Sequence, residues 1–305
     1  MRPPLLAIVG PTATGKSEAS IRVAEQLSTE IVSVDSMTVY RGMDVGTAKP
    51  SLGARRRVPH HLFDVADPSE DFSVARYQEL ARNALQDIGS RGLPALLVGG
   101  TGLYFRAVVD DLAFPPTDPD VRAALEREAE LVGAEAMHRR LENLDPAAAG
   151  KIEHGNVRRT VRALEVAAVT GRSFSSFAED WEQYPSGPVL AVGIDMEPDV
   201  LRARIETRVA SQLDAGLMEE TRALIRSGPL SATAQQAIGY AEAIEHVSGR
   251  ITLDEAASRI VRRSRHLARR QLSWFRRDPR IRWFHAGERG AGALVDEILE
   301  SFEDG

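Results

Sequence analysis

Four runs of almost unbroken apolar residues punctuate the chain: Leu5-Leu6-Ala7-Ile8-Val9, Ile31-Val32-Ser33-Val34, Ala95-Leu96-Leu97-Val98 and Val189-Leu190-Ala191-Val192-Gly193-Ile194. Short runs without polar alternation predict strands buried on both faces, the habit of a parallel sheet. Ile281-Arg282-Trp283-Phe284 predicts a last strand. Between the runs the apolar residues return every three or four positions. Ile21, Ala24 and Leu27 predict a helix over 17–27, and Tyr77, Leu80, Ala81, Ala84 and Leu85 one over 73–88. Further helices are predicted over 199–215, around Gln235-Gln236-Ala237-Ile238-Gly239-Tyr240, and over 253–274. Alternating strands and helices predict an α/β fold built on a parallel sheet.

The alternation stops at Phe114-Pro115-Pro116-Thr117-Asp118-Pro119. From Val121 to about Trp181 no strand pattern occurs, and Ala/Glu/Arg-rich helices are broken at Gly133, Asp145-Pro146, His154-Gly155-Asn156 and Gly171. With Pro185-Ser186-Gly187-Pro188 closing the stretch, the predicted organisation is a catalytic core of residues 1–116 and 187–305 carrying an all-helical insertion over 117–186. A polar, Pro-bearing connection from Gly46 to Leu62 reads as a functional loop. His60 and His61 lie in it without an acid or Cys at ligand spacing, so they read as loop-packing residues rather than zinc ligands.

Composition narrows the classes. Of 305 residues 43% are hydrophobic and 27% charged, as in ordinary globular proteins. There is no cysteine, which excludes disulfides, thiol catalysis and Cys-ligated zinc. The apolar N-terminal run is strand-length and ends in a glycine loop, so it reads neither as a signal peptide nor as a membrane span, and a cytoplasmic protein is expected. The net charge of −6 argues against a general polyanion binder. Its distribution matters more: Arg259, Arg262, Arg263, Arg265, Arg269, Arg270, Arg276, Arg277, Arg280 and Arg282 crowd one stretch with Asp278 as the only acid between them. Such a stripe on an acidic protein suggests a defined RNA or phosphate contact. Arg158-Arg159-Thr160-Val161-Arg162 repeats the feature in the insertion, where a solvated face is the alternative.

The first strand runs into Gly10-Pro11-Thr12-Ala13-Thr14-Gly15-Lys16-Ser17, a complete G-x-x-x-x-G-K-[ST] loop between a strand and a helix. The expected core is therefore P-loop NTPase-like. The two glycines free the loop's N–H groups to converge on a phosphate at a helix N-terminus, Lys16 adds a point charge, and the Ser17 hydroxyl can ligate Mg²⁺. The loop alone leaves open whether the phosphates belong to ATP. Chemistry in parallel sheets gathers at the carboxyl ends of strands, where Asp35 and the turn Gly99-Gly100-Thr101-Gly102-Leu103-Tyr104 fall. Asp35 is either a general base or an indirect Mg²⁺ holder. Thr101 offers a hydroxyl or caps a helix, and Arg204 with Arg208, one turn apart, make a candidate diphosphate clamp. A small-molecule kinase using Asp35 or Asp195 at its metal, an adenine-nucleotide prenyltransferase and a non-catalytic nucleotide-binding RNA partner all remain open at this level.

Several separated motifs together resemble the tRNA dimethylallyltransferases: the loop Gly10–Ser17, Ser33-Val34-Asp35-Ser36-Met37, Tyr40 to Pro50, Pro59-His60-His61, Gly99 to Tyr104, Arg162-Ala163-Leu164-Glu165-Val166, Ala237-Ile238-Gly239-Tyr240 and Ala268-Arg269-Arg270-Gln271-Leu272. The chain departs from that pattern at Thr38, where many relatives carry Gln, and at Arg270, where Lys is frequent. The resemblance implies transfer of a dimethylallyl group from dimethylallyl diphosphate to N6 of adenosine 37 in a tRNA anticodon stem-loop. It implies that Gly10, Pro11, Thr12, Ala13, Thr14, Gly15, Lys16, Ser17 and Arg208 hold the diphosphate, with Mg²⁺ at Ser17. Asp35 would be the base and Thr101 the hydroxyl orienting the amine, with Ser36, Met37 and Thr38 beside the adenine. Arg122, Arg158, Arg159 and Arg162 of the insertion, and Arg262, Arg265 and Arg269 of the stripe, would meet the tRNA. A monomer is expected.

Overall fold

The computed structural model describes residues 5–178, 181, 183–185, 187 and 189–303. By contact the chain divides into a unit of residues 1–110 with 186–305 and a second of 111–185. Ser186 and Pro188, expected at the edge of the insertion, lie outside the described residues.

In the first unit the elements run β1 (Leu5–Val9), α1 (Lys16–Leu27), β2 (Glu30–Ser33), α2 (Leu52–Arg57), β3 (His60–His61), α3 (Val74–Ser90), β4 (Ala95–Gly99) and α4 (Gly102–Val109). The second unit holds α5 (Pro119–Val132), α6 (Ala134–Leu144), α7 (Pro146–Ala149), α8 (Val157–Thr170) and α9 (Phe174–Ala178). The first unit then resumes with β5 (Val189–Met196), α10 (Pro198–Asp214), α11 (Leu217–Ser227), α12 (Ala232–Gln235), α13 (Tyr240–Val247), α14 (Leu253–Phe275), β6 (Ile281–Ala286), a 3₁₀ turn over Ala291–Leu294 and α15 (Val295–Glu303).

All six strands are parallel, in the order β3-β2-β4-β1-β5-β6. The apolar runs are apolar because both faces are covered. Ala7 and Val9 of β1 pack into one cluster with α3, α4, α10 and α14, while Leu6 and Ile8 pack on the opposite face with α1 and α15. A fully buried Leu, Ile or Val contributes about 1.5–3 kcal/mol, so these faces dominate the unit's stability. Register aligns Val9 of β1 with Gly99 of β4 and Gly193 of β5, so the loops leaving β1, β2 and β4 emerge together at one edge.

Two expectations change. The Gly46–Leu62 connection contains a helix, α2, capped by the Ser51 side chain, and an edge strand, β3; His61 there bonds Glu30 (2.7 Å) and His60 the Val58 carbonyl (2.7 Å). Between Gln235, which ends α12, and Tyr240, which opens α13, the chain breaks, with Gly239 at φ +95°, which a continuing helix cannot hold.

The second unit has its own core of Leu125, Met137, Leu141, Val161 and Leu164. Its helices stop where the sequence breaks: Gly133 at φ +83° after α5, Asp145 capping α7, Asn156 capping α8 and Gly171 at φ +68° after it. No described helix is long and apolar enough to cross a membrane.

Candidate active site

The loop after β1 is shaped by what it must avoid. Gly10 sits at φ +137°, and a Cβ there would lie 2.3 Å from the Ile194 carbonyl oxygen of β5. Gly15, at φ +91°, opens α1. Among the described residues the N–H groups of Ala13, Thr14, Gly15, Lys16 and Ser17 have no protein acceptor, so a row of unpaired donors ends in a helix N-terminus, the arrangement that binds anions. Thr14 is buried and its hydroxyl donates to the Pro11 carbonyl (3.1 Å), fixing the bend. The Thr12 N–H donates to Oε1 of Gln271 on α14 (2.8 Å).

The Lys16 ammonium donates to the Pro11 carbonyl. Burial, and after it the charge of Arg208, lower its pKa from 10.5 to about 7 against the opposing pull of Asp35. The helix α10 supplies both expected arginines in different roles. Arg204 braces the loop from outside, donating to the carbonyls of Ala13 (2.9 Å) and Glu288 (3.2 Å). Arg208 reaches the Thr47 carbonyl (3.4 Å), and desolvation lowers its pKa.

Two cavities open on this edge. One, of about 600 Å³, is lined by Thr12, Ala13, Gly15, Lys16 and Ser17 of the phosphate loop with Asp35, Thr38, Thr47, Arg204 and Arg208. The other, of about 860 Å³, lies between Ser36, Met37, Thr101, Gln212, Gln236 and the α14 side chains Arg263, His266, Arg269 and Arg270. Thr12, Asp35, Thr47, Gly100, Arg208 and Gln271 line both, so Asp35 stands where the two meet.

Asp35 follows β2 and is half-buried. One carboxylate oxygen accepts from the Met37 N–H (2.8 Å), which fixes the side chain; the other accepts no hydrogen bond among the described residues. Thr101 caps nothing with its side chain: its hydroxyl accepts from the Ser36 N–H (3.1 Å) and faces the second cavity. Thr38, expected beside the adenine, is turned inward instead. It is 6% exposed, bonded to the Ser33 hydroxyl (2.9 Å), and lines only the first cavity. Asp195, the other candidate acid, bonds Arg276 (3.0 Å) and His285 (2.9 Å) and lines neither cavity.

The stripe divides. Arg259, Arg263, Arg276 and Arg280 are paired with Glu245, Glu242, Asp195 and Asp278. Arg262 and Arg269 are exposed and Arg265 half-buried, with no acidic partner among the described residues, and only Arg269 of these three lines the second cavity. In the second unit Arg122 (2.8 Å) and Arg162 (2.9 Å) converge on the fully buried Glu165. Burial alone would push that carboxyl up; the two guanidiniums and the Asp118 amide outweigh it and hold it below the usual range. Two of the four insertion arginines thus hold their own unit together, while Arg158 and Arg159 are exposed at the start of α8.

Sequence reasoning gave no role to the residues that carry the loop over 43–49. Glu220 of α11 accepts from the N–H groups of Asp44 (3.0 Å), Val45 (2.9 Å) and Gly46 (3.4 Å) and from the Tyr240 hydroxyl (2.5 Å). Gln212 donates to the carbonyls of Val45 (2.9 Å) and Gly46 (2.8 Å). Gly46 has no room for a side chain, since a Cβ would meet the Tyr240 ring at 2.4 Å. The only advance signal was the Ala237-Ile238-Gly239-Tyr240 motif, which names Tyr240 without its partner.

Residues 38–278 match the IPP transferase family and residues 3–57 the Isopentenyl transferase family. The chain is 47% identical over 304 residues to the tRNA dimethylallyltransferase of Desulforudis audaxviator, covering 99% of this chain and 98% of that one. Its structure is similar to that of the tRNA isopentenylpyrophosphate transferase of Bacillus halodurans, at 40% identity and a TM-score of 0.72, over 99% of this chain and 96% of that one. A eukaryotic dimethylallyltransferase acting on tRNA shares the fold at 24% identity and a TM-score of 0.80, over 99% of this chain and 80% of that one.

Proposed function

The chain belongs to the IPP transferase family, the tRNA dimethylallyltransferases, and we propose that its two cavities divide that reaction between a diphosphate side and an RNA side meeting at Asp35. The activity is transfer of a dimethylallyl group to tRNA. The donor is dimethylallyl diphosphate and the acceptor N6 of adenosine 37 in the anticodon loop. That one carboxylate lines both cavities is the observation that carries this reading.

In the first cavity the free N–H groups from Ala13 to Ser17, with Lys16 and Arg208, hold the diphosphate and stabilise the charge that grows as its allylic C–O bond breaks. The Ser17 hydroxyl, exposed there and without a protein partner among the described residues, is a hard oxygen donor of the kind Mg²⁺ takes. Bound there, the ion would offset diphosphate charge. The adenine leaves its stack and enters through the second cavity, between Met37 and α14. Its N6 is a weak nucleophile because its lone pair is delocalised into the ring. As the N–C bond forms, the free oxygen of Asp35 takes the N6 proton, while Thr101, anchored on Ser36, orients the amine. A monomer is the expected state, and the cytoplasm, where tRNA is modified, the expected compartment. ATP-dependent phosphoryl transfer is not favoured: Asp195, its other metal-site acid, is held away from both cavities.

Asp35→Asn tests the assignment. It keeps shape but cannot take the proton, so single-turnover transfer should fall by about 10²–10⁴ with both substrates still bound. Rescue by excess Mg²⁺, or a near-normal single turnover, would transfer Asp35 from base to metal holder or remove it from the chemistry.

A further inference from the structure

We propose that His138, Glu142 and His154 of the helical unit form a transition-metal site, with zinc the fitting ion. His138 and Glu142 lie one turn apart on α6, the spacing that puts two side chains on one helix face. His154 comes from the turn between α7 and α8. One donor atom from each of the three lies within 4.8 Å of the others.

One distance argues for a shared ion rather than a hydrogen bond. Nε2 of His138 is 3.7 Å from Oε1 of Glu142, beyond hydrogen-bond reach. It is close to the edge of a tetrahedral site, about 3.4 Å when the metal bonds are 2.0–2.2 Å. The rings of His138 and His154 stack 4.0 Å apart and 24° from parallel, so the second imidazole lies beside the first, and the exposed His154 ring must turn out of the stack for its nitrogen to share the ion.

The second argument is burial. The side chain of His138 is 2% exposed, and its Nδ1 is buried without any hydrogen-bond partner. Neither ring nitrogen is therefore satisfied within the protein, and buried polar atoms in that condition are few. An ion bridging His138 to Glu142 and His154 would take Nε2, the nitrogen that faces Glu142, and leave the buried Nδ1 unpaired. Two imidazoles and a carboxylate suit zinc and its neighbours rather than Mg²⁺, which prefers all-oxygen surroundings. Glu142 and His154 are exposed, leaving the fourth position to water. Bound there, the ion would tie α6 to the turn that leads into α8, whose first residues carry Arg158 and Arg159.

The test uses untagged full-length protein, stripped with a chelator and titrated with ZnCl₂ in excess Mg²⁺, so that the phosphate loop's metal is already supplied. One equivalent of Zn²⁺ should bind and raise the thermal midpoint. His154→Ala and Glu142→Gln, both at exposed positions, should each weaken binding at least tenfold and remove the thermal response, while their metal-free melting stays near that of the parent. His138 is left intact because its loss alone could unfold the unit. The proposal is overturned if the parent protein takes up no Zn²⁺, or if either variant binds as the parent does. The latter would send the ion elsewhere, for example to His285 beside Asp195 and Glu197.

Discussion

Two glycine-bearing loops flank the same cavity and are held by different means. The loop over Gly10–Ser17 takes its bend from its own glycines and from Thr14 closing onto Pro11, and outside groups meet it at two carbonyls and one N–H: Arg204 at Ala13, the Ala291 N–H at Thr14 and Gln271 at Thr12. The loop over Met43–Lys49 also closes on itself, the Thr47 hydroxyl donating to the Met43 carbonyl (2.6 Å), but its N–H groups at 44–46 are all taken by a distant side chain. Glu220, Gln212 and Tyr240 grip its backbone from positions more than 160 residues away, and Lys49, its side chain 1% exposed, ties it to Asp44 and Asp64. A loop that must present bare N–H groups keeps acceptors away from them. A loop that must only hold a wall in place can have its N–H groups consumed.

The largest effect should come from the first loop. Lys16→Ala removes the charge nearest the leaving group, and by analogy with loss of one preorganised donor we expect about 10²–10³ off the transfer rate with tRNA affinity retained. Undiminished turnover would remove the loop from the mechanism. Glu220→Ala should act on the second loop without touching chemistry. It strands the N–H groups of Asp44 and Val45, Gly46 keeping the Tyr240 hydroxyl, costing about 1–3 kcal/mol of stability, and KM for both substrates should rise while kcat stays within tenfold. Unchanged KM values would mean Lys49 and Gln212 suffice.

Smaller effects separate the arginines. Arg269→Ala should lessen the salt dependence of tRNA binding by a slope of about 0.7–0.9, whereas Arg263→Ala, already paired with Glu242, should leave the slope alone and lower the melting point. Equal slopes in both variants would break the distinction. The finest effect is a proton. In the free protein Lys16 has a pKa of about 7, and a bound diphosphate would raise it. Binding at pH 8 should therefore take up protons, and affinity should fall with rising pH above 7 until the bound pKa is passed. Calorimetry in buffers of different ionisation heat reads the uptake directly; none at pH 8 would leave Lys16 charged throughout.

What the sequence revealed follows the same division. The strands β1, β4 and β5 were visible because burial on both faces leaves no polar position, and the helices of the second unit because Gly133, Asp145-Pro146 and Gly171 terminate them locally. The short helix α2 was hidden, since six residues with three arginines and no buried face carry no periodicity. The roles of Gln271 and Glu220 were hidden for a different reason: each is set by a partner far along the chain. The arginine stripe read as bare charge because Glu242, Glu245 and Asp195 lie outside it, and the Arg122–Glu165–Arg162 cluster because Arg122 reaches Glu165 from another helix, α5, while Arg162 and Glu165 share α8.

The shared wall of the two cavities also bears on the order of events in turnover. A pocket with a single mouth forces one reactant to wait behind the other. On the proposed reading the donor fills one cavity and the nucleic acid the other, so neither need wait for the other to leave. Initial-rate plots should then intersect, as for a ternary complex assembled by either route. Diphosphate, leaving the cavity its parent filled, should compete with the donor and not with the RNA.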